Sequence, residues 1–179
     1  MVERKKILAI NGSIRNSSSN KSVLLALAKL IPSSVDYEIY KGVEYLPHFN
    51  PDLDVDHSAA DSSVKDFREK LGNCDAIIIC TPEYAFGVPG VLKNALDWIV
   101  SSAEFTNKPT ALITASPLAS GGDKAFAALM PTLQVMGAMI AEDCALMIPL
   151  VKKKVNENAE ISDQDLGEKL KRLLNTLLK

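Results

Sequence analysis

The sequence predicts an α/β protein: a three-layer, doubly wound, five-stranded parallel sheet with strand order 2-1-3-4-5. Two observations carry this. Short apolar runs alternate along the whole chain with stretches of helical spacing, and strands that alternate with helices are joined by crossovers that force a parallel sheet with helices on both faces. Right-handed crossovers leave few topologies. The third observation chooses among them. The first strand is followed neither by G-x-G-x-x-G nor by G-x-x-x-x-G-K-[ST], so neither a dinucleotide fingerprint nor a P-loop is present.

The elements follow in order. Lys6-Ile7-Leu8-Ala9-Ile10 reads as a buried strand, and Ser22 to Leu30 as a helix stopped by Pro32. Val35 to Tyr40 alternates with period two, the mark of a strand with one wetter face. The irregular stretch Lys41 to Ala60 is too long for a simple connector, and segments of that length are functional or covering. Asp61 is placed to cap a helix in which Val64, Phe67, Arg68 and Leu71 recur at helical intervals. Ala76 to Cys80 is the central strand, and Val91 to Val100 the helix after its loop. Thr110 to Ala115 is the fourth strand. Asp123, as N-cap, opens a helix to Met136 that Pro131 should kink or cut short. Ala138 to Ile148 supplies the fifth strand, and Asp163 to Leu178 a final amphipathic helix.

Length and composition bound the rest. The 179 residues suit a single domain, 1–179, with 47% apolar and 23% charged residues. No apolar run approaches the ~18–20 residues that span a bilayer, and the start of the chain carries no signal-peptide core. Cys74, Cys80 and Cys144 are an odd, widely spaced set in apolar surroundings, read as buried reduced thiols in a cytoplasmic protein and not as metal ligands. A net charge of −2 gives no reason to expect a nucleic-acid or membrane partner. His48 and His57 fall in the irregular stretch and are expected at the surface.

Three loops follow strands at the carboxyl edge of the sheet, where open α/β sheets bind ligands. In Asn11 to Lys21, Ser and Asn side chains and Arg15 precede a helix N-terminus, a setting that suits a phosphate, or alternatively a plain cap and turn. In Pro82 to Gly90, two prolines stiffen the loop, Gly87 and Gly90 permit close approach, and Tyr84 and Phe86 can flank a planar ring. Glu83 there is either an acid–base group or, the favoured reading, a carboxylate holding the loop by accepting backbone N–H bonds. Trp98 is assigned to packing. The third loop, Ser116 to Gly122, adds hydroxyls and small residues. Side by side, the three describe a mononucleotide with a flat ring, FMN.

These residues resemble the NADPH-dependent FMN reductase family, the flavodoxin-like group of bacterial quinone, azo-dye and chromate reductases. The matches are Gly12-Ser13-Ile14-Arg15 with Ser19-Asn20, then Thr81-Pro82-Glu83-Tyr84, then Pro89 to Trp98, and more weakly Ser116 with Gly121-Gly122. The resemblance implies that Ser13, Arg15, Ser19 and Asn20 hold the FMN phosphate. Pro82, Glu83, Tyr84 and the backbone of Ala85, Phe86 and Gly87 would line the isoalloxazine, with Ser116, Gly121 and Gly122 closing another side. It further implies a homodimer or homotetramer, and NADPH or NADH passing hydride to the flavin, which carries the chemistry in place of a catalytic side chain. A small-molecule acceptor (a quinone, a flavin or a similar oxidant) would then take two electrons. Arg15 is a candidate for a phosphate of NADPH as well. Family members often carry Asn after Glu-Tyr, whereas this chain has Ala85 and Phe86, which puts acceptor preference and potential in question. The competing expectations are a flavodoxin-type electron carrier, against which the near-neutral charge speaks, and a flavin-dependent sensor without turnover.

Overall fold

The computed structural model describes residues 4–55 and 61–179. His57 lies outside them; His48 is exposed. Five parallel strands, β1 (Lys5–Asn11), β2 (Val35–Tyr40), β3 (Ala76–Thr81), β4 (Thr110–Ala115) and β5 (Ala145–Ile148), form one sheet in the order β2-β1-β3-β4-β5. The expected fold class and strand order are those observed. Between the strands run α1 (Ser19–Leu30), α2 (Ser62–Gly72), α3 (Gly90–Asp97) and α4 (Asp123–Val135), and α5 (Gln164–Leu177) closes the chain.

Side-chain alternation splits the core in two. Ile7, Ala9, Ile78, Cys80 and Ile113 face α1 and the leucine stripe of α5, while Leu8, Ile10, Ile77, Ile79 and Leu112 face α2, α3 and α4. The central strands β3 and β4 are buried along their full length, because helices cover both of their faces. Each fully buried Ile or Leu contributes roughly 1.5–3 kcal/mol, so these two strands anchor the sheet. β2, on the edge, alternates between partly buried and exposed residues. Its outward carboxylates are paired, Asp36 with Arg4 at 3.0 Å and Glu38 with Lys70 at 2.7 Å.

The stretch after β2 forms two single 3-10 turns, Val43–Tyr45, which packs on α3, and Pro51–Leu53. Three bonds pin it. The Trp98 indole N–H donates to the Pro47 carbonyl at 2.8 Å, the Asn94 amide donates to the same carbonyl at 2.9 Å, and its oxygen accepts from the Phe49 N–H at 2.8 Å. Farther along, Arg68 pairs with Asp54 at 2.8 Å in a buried ion pair. Trp98 is thus fully buried packing, as its sequence context implies.

Boundaries differ from expectation in instructive places. α1 begins at Ser19, not Ser22, because Ser18 caps it. Asp61 does cap α2, accepting from the Ser63 N–H at 2.8 Å. α3 stops at Asp97. α4 does not break at Pro131; it runs on to Val135. Proline removes a single N–H there, and the chain continues with the Thr132 hydroxyl donating to the Ala128 carbonyl at 3.0 Å. The helix ends instead at Gly137, whose φ of +83° allows its N–H to reach Gln134 and the Ala138 N–H to reach Leu133, a Schellman stop. β5 is only the last part of the expected Ala138–Ile148 run. The earlier part makes one bridge, Pro109 with Met139, and a 3-10 turn over Glu142–Cys144.

Candidate functional site

The loop after β1 begins with a contact that only glycine permits. The Gly12 N–H donates to the Cys80 carbonyl at 2.8 Å, and a Cβ at Gly12 would lie 2.3 Å from Thr81 Oγ1. The Asn11 side chain then folds back, accepting from the Ser13 N–H at 3.2 Å and donating to the Ser13 carbonyl at 2.7 Å. This turn directs the Ser13 hydroxyl across the cleft to the Tyr84 hydroxyl, 3.3 Å away. Arg15 is exposed on the rim, its backbone N–H bonded to Ser13 Oγ at 3.4 Å. Ser18 is buried and caps α1 by accepting from the Lys21 N–H. Asn20 turns inward: its amide donates to the Ala115 carbonyl at 3.4 Å and its oxygen accepts from the Cys80 thiol at 3.3 Å. Asn20 therefore ties the start of α1 to the ends of β3 and β4. Burial pushes the Cys80 thiol well up, so it stays a neutral donor.

The loop after β3 is a short, rigid hairpin. Tyr84 and Gly87 exchange both backbone hydrogen bonds, at 3.1 and 3.0 Å. Between them Ala85 and Phe86 have φ of +48° and +59°, the left-handed pattern of a type I′ turn, which is ordinarily built from Asn and Gly. An L-residue with a Cβ costs about 1–2 kcal/mol in that conformation. Gly87 itself meets no such constraint, since a Cβ there would find only the Tyr84 carbonyl at 3.9 Å.

Glu83 decides how the second and third loops relate. Its Oε2 accepts from the backbone N–H groups of Lys124 at 2.8 Å and Ala125 at 3.1 Å, the first turn of α4. Asp123, expected as the N-cap, is instead the first helical residue. The capping position belongs to Gly122 at φ +86°, which has no side chain to do the work. Gly122 is also hemmed in: a Cβ there would lie 3.2 Å from Thr114 Cβ and 3.7 Å from Glu83 Cβ. Gly121, at φ +68°, abuts Pro149 in the same way. The structural role favoured for Glu83 is the one the geometry shows.

These segments enclose a cleft of about 190 Å³ at the carboxyl ends of β1, β3 and β4. Ser13, Arg15, Ser19 and Asn20 line one side, Pro82, Glu83 and Tyr84 another, and Ser116 a third. Ser116 is buried, its hydroxyl accepting from the Leu118 N–H at 3.1 Å. Ala85, Phe86 and Gly87 stand outside the cleft wall, with Phe86 81% exposed. Gly121 and Gly122 lie behind it, where they set the position of α4.

Besides Ala115, Pro117 and Leu118 beside Ser116, sequence reasoning missed two polar lining residues, Ser18 and Lys152. Ser18 sits in a run of three serines, and only the backbone shows which one caps. Lys152 comes from far along the chain: the Leu150 N–H bonds to the Leu118 carbonyl at 3.1 Å and the Val151 N–H to the Ser116 carbonyl at 3.0 Å, which brings the lysine to the cleft. Arg15, Ser18, Ser19 and Lys152 also border a larger groove of about 620 Å³ that continues past α1 and includes Lys21. A comparable hollow of about 560 Å³ at the other end of the strands is lined by Asp36, Glu38, Asp66 and Glu69 together with Lys6 and Lys70. Its charged groups are mostly carboxylates, and Lys70 is already paired with Glu38. The donor set of the cleft, by contrast, is hydroxyls, a guanidinium, an ammonium and a helix N-terminus, with its one carboxylate already engaged by α4. That chemistry fits a phosphate monoester.

Known proteins resemble this chain in sequence and in fold. The sequence model of the NADPH-dependent FMN reductase family matches residues 5–153. A quinone reductase of Escherichia coli is 28% identical over 167 residues, spanning 92% of this chain and 88% of that one. An NADPH azoreductase of a Bacillus species is 33% identical over 176 residues, spanning 97% and 89%. Among solved structures, FerB, a flavoenzyme NAD(P)H:(acceptor) oxidoreductase from Paracoccus denitrificans, superposes with a TM-score of 0.85 at 26% identity, over 97% of this chain and 95% of that one. The chain therefore belongs to the NADPH-dependent FMN reductase family and is an oxidoreductase of the flavodoxin-like fold.

Proposed function

We propose that this chain binds FMN in the cleft at the start of α1 and uses NAD(P)H to reduce a small conjugated acceptor such as a quinone. One observation carries the reading. Of the helix N-termini at this edge, that of α4 is filled by Glu83, while that of α1 faces hydroxyls and cations. In this reading Ser13, Arg15, Ser18, Ser19 and Lys152 hold the phosphate, and Asn20 positions the turn that carries them. Pro82, Tyr84 and the hairpin backbone border the ring on one side, and Ser116 with Leu118 on another. The chemistry FMN supplies when bound is two-electron transfer, so that NAD(P)H, a proton and a quinone give NAD(P)⁺ and the hydroquinone.

The protein residues need supply no acid–base dyad for this. They bind, orient and exclude water, and Glu83 acts through the placement of α4. The acceptor class is supported by the names of the quinone reductase and azoreductase relatives, whose substrates are flat and conjugated. A homodimer or homotetramer remains part of the proposal, resting on the family resemblance, and sedimentation in solution decides it. A cytoplasmic setting is supported by three free, buried thiols.

The test is an anaerobic absorbance titration of the protein reconstituted with FMN. Bleaching of the flavin band by NADPH and its return on adding a quinone are expected. Retained flavin that NADPH leaves oxidised would turn the reading toward an electron carrier. Failure to retain FMN at all would overturn the assignment of the cleft.

A further inference from the structure

The hairpin at Tyr84–Gly87 places an aromatic ring where both solvent exposure and backbone geometry disfavour it. Phe86 is 81% exposed, and it and Ala85 both hold left-handed φ values. No burial offsets the strain, since Ala85 is exposed as well. Nor is the tip loose. Paired backbone bonds close it, Pro82 and Pro89 flank it, and the Tyr84 hydroxyl is bonded to Ser13 across the cleft. A strained, rigid, exposed residue beside a ligand cleft is the setting in which strain marks function.

We propose that Phe86 is the stacking platform for the electron acceptor and the residue that selects planar conjugated acceptors over compact ones. This rests on the FMN reading of the cleft and assigns to the same site its acceptor wall. Three features point there. The hairpin that carries the ring follows directly on Pro82, Glu83 and Tyr84, which line the cleft, while Phe86 itself is outside that lining and open to solvent. Two other loops of the site also carry exposed apolar residues, Ile14 between the cleft-lining Ser13 and Arg15, and Leu118 in the cleft lining, which favours a flat apolar acceptor over a hydrated anion. The paired turn fixes the backbone that carries the ring before the acceptor arrives, so little main-chain ordering cost remains at binding.

The experiment compares wild type with Phe86→Gly, Phe86→Leu and Phe86→Trp. FMN retention of the wild type is measured first. Melting temperatures of the flavin-free proteins follow, then KM and kcat for menadione, a planar quinone, and for ferricyanide, a compact anionic acceptor. Phe86→Gly should raise the melting temperature by roughly 2–8 °C, because glycine adopts the turn without strain. Stacking of this kind corresponds to roughly a two- to tenfold effect. The ratio of KM for menadione to KM for ferricyanide should therefore rise about fivefold in the Gly and Leu variants and stay near wild type in Trp. A ratio unchanged in Gly and Leu, with FMN still bound, overturns the proposal alone. So does a Phe86→Gly protein that falls to a smaller oligomer with that ratio unaltered, which would make the ring a contact between copies. A wild type that holds no FMN overturns the cleft reading and this proposal together.

Discussion

The N-termini of α1 and α4 stand at the same edge of the sheet, each after a strand and a loop rich in small polar residues, and they are finished in opposite ways. A helix N-terminus carries the equivalent of roughly half a positive charge together with unpaired N–H groups. At α4 a carboxylate from a loop some forty residues earlier takes up both. At α1 a neutral serine hydroxyl caps the helix, and Arg15 and Lys152 add positive charge around it. The α4 end is closed to a phosphate, while the α1 end is the one the proposed function assigns to it. Loop composition alone does not separate them, because Ser116 to Gly122 is as rich in serine and glycine as Asn11 to Ser19. The partner of each helix end does.

The largest way to break this contrast is at the hinge of the α1 loop. Gly12→Ala forces a Cβ to within 2.3 Å of Thr81 Oγ1, and overpacking of this kind costs about 1–3 kcal/mol. The expected result is a loss near 3 kcal/mol in urea unfolding, with poor FMN retention. Next comes the closed end. Glu83→Ala removes a charged acceptor from two N–H groups, for about 2 kcal/mol of stability. Glu83→Gln, which keeps an acceptor without the charge, should lose about half as much. If the Ala variant were as stable as wild type, the capping role would be refuted.

The open end is probed through affinity. Arg15→Ala should weaken FMN binding about tenfold, since hydrogen bonds to charged groups contribute ~1.5–3 kcal/mol, with little change in melting temperature. Lys152→Ala should cost roughly threefold, an effect that shrinks at high salt because an exposed ammonium is screened. Fluorescence titration of FMN at low and high salt checks both. The smallest effect concerns the thiol behind α1. Burial raises the Cys80 pKa above its ordinary value of 9.0. Its contribution to stability is thus complete below about pH 9 and declines as pH rises beyond that, where only the unfolded chain releases the proton. Cys80→Ala should show a flatter fall in urea midpoint above about pH 9 than wild type, and native Cys80 should resist alkylation at about pH 8.

Much of this was legible in the residues. The all-parallel sheet and its order followed from apolar runs alternating with helical spacing, and the packing role of Trp98 from its place in the apolar stretch after the β3 loop. The structural reading of Glu83 was available as a choice between two uses of a carboxylate. Its partner was not, because nothing local links Glu83 to Lys124 and Ala125. Asp123 looked like a cap for the reason that aspartates usually are, and the tertiary contact made a local one unnecessary. Pro131 misled in the other direction: helix propensity penalises it, but packing of Leu129 and Leu133 in the core holds the helix through it. Lys152 carried no signal, lying in a run of three lysines after a short strand. Left-handed Ala85 and Phe86 ran against the usual turn chemistry, so sequence rules pass over that hairpin.

The edges of the sheet set how the protein can meet copies of itself. An unpaired edge strand is a template on which a foreign strand can add, the route into aggregates. Here β5 is four residues long, and β2 carries Asp36 and Glu38 outward, each held in place by a cation. Docking another strand there would strip water from those ion pairs. The chain can therefore be crowded and partly stressed with little tendency for its sheet edges to zip together.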